Sequence, residues 1–114
     1  MREGDIALTL LLQADGQMKA RPALLLRQMR PFGDWLVCGV SSRLRQQVAD
    51  FDEIIDRLDD DFAESGLRVP SLIRLGFLAT LPEGNFLGRI GSISAKRYLS
   101  LRQRLADYLG IADA

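Results

Sequence analysis

Turn signals punctuate the first half of the chain at short intervals, and that punctuation limits what the apolar residues between them can build. DIALTLLLQ carries Ile and Leu on both parities, the pattern of a strand buried on both faces or of one in a small barrel. Asp15-Gly16 follows as a turn. RPALLLRQM then reads as a second strand with Pro22 at its first position, where a missing N–H costs least. Pro31 and Gly33 mark the next turn, and DWLVCGVSS is a third strand ending at Ser41 and Ser42.

Further along, DEIIDRL fits either a strand or one helical turn, and ESGLRVPS is loop. LIRLGFLATL, PEGN and FLGRIGSIS form another hairpin. GRIG lacks the spacing and the strand-to-helix context of a phosphate loop, so Gly88 and Gly91 mark a strand bend. One helix closes the chain. Ser94 suits its N-cap, Tyr98, Leu101, Leu105, Tyr108 and Leu109 recur at helical spacing, and Gly110 suits its stop. The expected fold is mainly β with an α addition: residues 1–114 as one domain, a small antiparallel barrel with a C-terminal helix.

The chain has no histidine, which removes the usual general base, the usual zinc ligand and every Ser-His or Cys-His pair. Catalysis, if any, runs on Arg, Lys, Ser, Thr, Asp, Glu or Tyr, and neither metal nor cofactor is expected. A single cysteine, Cys38, excludes an intrachain disulfide and reads as a small buried residue, which fits a reducing cytoplasm. The apolar run Ile6–Leu12 is too short to span a bilayer and has no basic flank, so no membrane partner is expected.

Balanced totals conceal blocks of charge. Asp50 to Glu64 holds eight acids against Arg57 alone and reads as a solvated face. Gly16 to Arg30 holds Lys19, Arg21, Arg27 and Arg30 with no acid, and Arg89 to Arg104 is likewise purely basic. Three places combine cations with hydroxyls or rigid backbone. Arg21 precedes Pro22, whose ring stiffens both residues and aims the guanidinium, with Lys19 beside it as a mobile point charge. Ser41 and Ser42 end a strand just before Arg43 and Arg45, and Ser71 with Arg74 repeats the pairing on a later strand. Each alone is ordinary surface chemistry. Trp35 in an apolar strand reads as core or dimer packing rather than as a base-stacking platform.

Taken in order, GDIALTLLLQADGQMKARPALLL, LVCGVSS, DFAESGLRVPSLIRLGFLATLP and GRIGSIS before a last helix resemble the PemK/MazF-like toxins of bacterial toxin–antitoxin pairs. The resemblance implies an SH3-like barrel, a homodimer, and a metal-independent, sequence-specific endoribonuclease of single-stranded RNA. It also implies a cognate antitoxin whose extended segment blocks the groove. Carried onto this sequence, the family's catalytic arginine and strand-end hydroxyl fall on Arg21 and Ser41. Lys19, Ser42, Arg43, Ser71 and Arg74 are then the RNA-binding set. Ser41-Ser42 stands where many relatives have Thr-Ser, and the approach to Arg-Pro is shorter here. No general base or acid is assigned; Asp15 and Glu83 qualify only if folding brings them close. The alternative on the same barrel is a protein-binding toxin of the gyrase-inhibitor type or a catalytically inactive relative.

Overall fold

The computed structural model describes residues 1–111. Six strands form one antiparallel sheet: β1 (Asp5–Leu12), β2 (Met18–Gln28), β3 (Trp35–Ser41), β4 (Glu53–Ile55), β5 (Ser71–Leu81) and β6 (Phe86–Ser92). Their lateral order is β4-β5-β3-β2-β1-β6. A short helical turn, α1 (Phe62–Ser65), and a longer helix, α2 (Ala95–Leu109), complete the fold. None of the described helices is long and apolar enough to cross a membrane.

Burial on both faces of β1 to β3 follows from their unbroken apolar runs. One face packs Ile6, Leu24, Cys38, Val40, Ile73 and Leu75 against Tyr98, Leu101 and Leu105 of α2. The other gathers Ala7, Ala23, Leu25, Trp35 and Val37, with Ala79 and Leu81 of β5 and Phe86 of β6 packed on them. β5, second from one end of the order, and β6, at the other end, thus meet over one small cluster, which requires the sheet to curl into a half-barrel. This is the small SH3-like barrel with a C-terminal helix that the sequence predicts. The Ser94 hydroxyl oxygen accepts the Arg97 N–H at 3.1 Å, the expected N-cap, and Gly110 ends α2.

Several local expectations are corrected. LIRLGFLATL and FLGRIGSIS do not pair: β5 runs between β3 and β4, while β6 pairs with β1. The curl carries the chain from one part of the sheet to its far border across a 3-10 turn at Glu83–Asn85. Pro22 sits in the middle of β2 rather than at its start. DEIIDRL contributes strand β4, and the start of ESGLRVPS belongs to α1. Tyr108 and Leu109 are exposed, so the apolar face of α2 ends at Leu105.

The acidic segment is not a simple solvated face. Asp52 is buried, its two oxygens accepting the N–H groups of Leu75 at 3.0 Å and Val48 at 2.9 Å. Arg97 of α2 lies 2.9 Å from carboxylate oxygens of Glu53, Asp59 and Asp61, tying the helix start to the stretch between β4 and α1. Burial pushes the Asp61 carboxyl up, but the Arg97 hydrogen bond, the Ser94 N–H and the Arg97 charge outweigh it and hold Asp61 below the ordinary carboxylate value.

Candidate functional site

A groove opens where β2 and β3 part. Their ladder runs from Gln28 opposite Trp35 to Ala23 opposite Gly39 and goes no further. Beyond it the first half of β2 pairs with β1 alone, while Val40 and Ser41 pair with Ile73 and Leu72 of β5. Pro22 stands at this fork, where β2 has no neighbour on its β3 side to miss an N–H. The groove measures about 840 Å³.

Residues of both parities line it, Arg21 and Pro22 from β2 and Gly39, Val40 and Ser41 from β3. Arg21 and Ser41 each lie two residues past the last β2–β3 pair, Ala23 and Gly39, on the same strand face as those residues, and both line the groove between the parted strands. The Thr9 hydroxyl, fully buried on β1, donates to the Arg21 carbonyl oxygen at 3.1 Å. Arg21 is therefore fixed from both sides of its backbone, by Thr9 and by the Pro22 ring, while its side chain stays exposed.

Ser41 also has a defined role in its turn. Its oxygen accepts the Arg43 N–H at 3.0 Å, so its own proton is left to donate to a ligand. Ser42 and Arg43 follow on the groove wall, and Arg74 comes from β5 directly opposite Gly39. Ser71 lines the groove but spends its proton on the Val69 carbonyl at 2.8 Å, bracing the wall instead of offering a donor. Lys19 is not among the lining residues; it pairs with Leu11, which is. Neither Asp15 nor Glu83 lines the groove.

Arg68 is a groove residue that sequence reasoning did not single out. It is placed by two backbone contacts. Gly66 ends α1 in the left-handed conformation at φ 74°, and a Cβ there would lie 2.1 Å from the Ile90 carbonyl oxygen. A Cβ on Gly91 would lie 2.2 Å from the Glu64 carbonyl oxygen. The α1 turn thus docks backbone to backbone on β6, and the loop Leu67–Val69 leaves it across the groove. A Gly-Leu-Arg string has no local pattern that announces this, because both contacts are tertiary.

The lining holds four guanidinium groups, Arg21, Arg43, Arg68 and Arg74, and no carboxylate. Among the described residues none of the four pairs with an acid. Such a donor set suits a phosphate chain rather than a cation. Trp35 is buried in the smaller apolar cluster, as expected of a packing residue. The Cys38 thiol is enclosed in the core, and burial, aided by the charge of Asp52, pushes it up to about 12.

Comparison with protein families matches residues 2–109 to the PemK-like, MazF-like toxin of type II toxin–antitoxin systems. Comparison with curated proteins finds no match. Among solved structures, the Mycobacterium tuberculosis toxin MazF-mt6 is similar, with a TM-score of 0.69 at 20% identity. The likeness covers 96% of this chain and 99% of that one, and so concerns the whole fold.

Proposed function

The chain belongs to the PemK-like, MazF-like toxins of type II toxin–antitoxin systems, and from that premise we propose that it arrests growth as a sequence-specific endoribonuclease of single-stranded RNA. The observation that carries the reading is a groove lined by four guanidiniums and the Ser41 hydroxyl, with no carboxylate partner for any of the four among the described residues. RNA phosphates would be drawn in by the arginines, and the binding would weaken as salt rises.

Chemistry follows from Arg21 and Ser41 lining one groove. The ribose 2′-oxygen attacks the adjacent phosphorus, and the bond from phosphorus to the 5′-oxygen breaks. A 2′,3′-cyclic phosphate and a 5′-hydroxyl result. Negative charge grows on the phosphoryl oxygens on the way, and a guanidinium held in place beforehand stabilises it without reorganising. Arg21 supplies that charge and Ser41 a hydrogen bond, with Ser42, Arg43 and Arg74, and Lys19 from outside the lining, holding the flanking backbone. Among the described residues, none lining the groove is a His, Asp, Glu, Lys, Cys or Tyr able to exchange a proton near neutrality. The 2′-hydroxyl proton therefore leaves to solvent hydroxide or water, and the 5′-oxygen takes one from water. No metal enters this scheme.

The toxin would work in the cytoplasm as a homodimer, and its cognate antitoxin would silence it by laying an extended acidic segment on the same arginines. Cut RNA carrying 2′,3′-cyclic phosphate ends would support the reading, and 3′-hydroxyl ends would refute its chemistry. A second reading, a protein-binding toxin, draws on the exposed Tyr108 and Leu109 at the end of α2. It predicts growth arrest that survives loss of Arg21.

A further inference from the structure

The groove contains one aromatic ring, and the strand that bears it is bent to put it there. Between Cys38 and Gly39 the β3–β5 register jumps: Cys38 pairs with Leu78 and Gly39 with Arg74. One step along β3 thus corresponds to four along β5, and Leu75, Gly76 and Phe77 form a bulge. Leu75 turns into the core, and its N–H is taken by the buried Asp52 carboxylate at 3.0 Å. Phe77 turns the other way, into the groove.

Its ring rests on Gly39. A Cβ at that position would lie 3.0 Å from Phe77 Cδ1 and 3.3 Å from Cγ, so the absence of a side chain is what lets the ring settle on β3. Gly39 is two residues from Ser41 on the same strand face, about 7 Å along the strand. Phe77 remains 43% exposed and lines the same groove as Arg74, Arg21 and Ser41. A large aromatic ring left open in a groove that also holds four arginines offers a flat surface for a base beside the phosphate that Arg21 and Ser41 would address.

We propose that Phe77 is a base-stacking residue: it holds on its ring the nucleobase next to the phosphate addressed by Arg21 and Ser41, and so helps select where the RNA is cut. The inference rests on the groove being an RNA site, and it deepens that reading by giving the site a base contact. Gly39 acts as the seat of the ring.

The test uses a sequence-randomised pool of 2′-deoxy oligonucleotides carrying 2-aminopurine, which cannot be cut because the attacking hydroxyl is missing. Binding and fluorescence quenching are measured with wild type, Phe77→Leu and Gly39→Ala, each checked for folding by circular dichroism. Phe77→Leu keeps an apolar side chain of similar size but removes the stacking face. Gly39→Ala keeps the ring but makes it give by a few tenths of an ångström. The inference expects Phe77→Leu to lose quenching, to bind about tenfold more weakly or worse and to shift or blur the positions of cuts in RNA, with Gly39→Ala changed in the same direction but less. Unchanged quenching and affinity in Phe77→Leu overturn it, even if wild type cuts RNA. Quenching by wild type that depends on Phe77, without any RNA cutting, would uphold the base contact while refuting the nuclease reading. A wild-type protein that neither binds nor quenches would overturn both.

Discussion

The hydroxyl of Thr9 and the carbonyl of Arg21 are joined by a 3.1 Å hydrogen bond across the β1–β2 pair. It fixes the backbone that aims the groove's leading arginine, one residue before the proline that stiffens the other side. Thr9→Val keeps the branched shape but removes the donor. It should lower stability by about 1 kcal/mol in urea titration and slow RNA cutting more than it weakens RNA binding. An equal loss of both would make Thr9 a packing residue only.

Arg68 reaches the groove from the loop after α1 and pairs with no described acid. Arg68→Ala should weaken binding to single-stranded RNA and make the plot of log affinity against log salt less steep by about 0.7, the share of one phosphate contact. Filter binding across a salt series checks this.

Gly91 meets α1 with no space for a side chain. Gly91→Ala must push the turn away from β6, at a cost of about 1–3 kcal/mol. Because the same turn launches the loop bearing Arg68, RNA affinity should fall with it. Urea denaturation and binding on one preparation test the coupling.

The Arg97 cluster gives stability a defined acid dependence. Asp61 ionises more readily in the folded chain than its ordinary value of 3.8. Its stabilising share is therefore complete above that value and is lost as pH falls through the lowered folded one. Asp61→Asn should be less stable at pH 7 and show a shallower decline in the acid range. Arg97→Ala should cost about 2 kcal/mol or more by leaving Asp59 and Asp61 without a cation and Glu53 with Arg104 alone. Thermal melts between pH 7 and pH 3 read both.

Cys38 should resist alkylation at pH 8 in the native protein and react once urea unfolds it, since its thiol is buried and pushed up to about 12. Fast native labelling, followed by mass spectrometry, would contradict the packing described for β3.

Much of this was readable in the sequence where the signal is local. Apolar runs and Asp15-Gly16 mark β1 and β2, and Ser94 marks the start of α2. Lateral pairing was not readable: β5 and β6 are adjacent in sequence and joined by a short turn, yet the curl sends β6 to β1. Asp52 and Arg97 illustrate the same limit, because a charge becomes structural only when a distant backbone or side chain meets it. Arg21 and Ser41 are candidates that ordered family motifs bring out and that line one groove, whereas Thr9, Arg68 and Phe77 owe their places to register, glycine contacts and a bulge that spacing alone does not reveal.

The most direct test of the account is to incubate purified wild type and Arg21→Ala with a long single-stranded RNA in excess chelator and map the cut ends by primer extension. Discrete cuts by wild type, reduced at least a hundredfold in a folded Arg21→Ala, are the predicted result. Equal cutting by the two proteins, or none by folded wild type free of antitoxin, would contradict it.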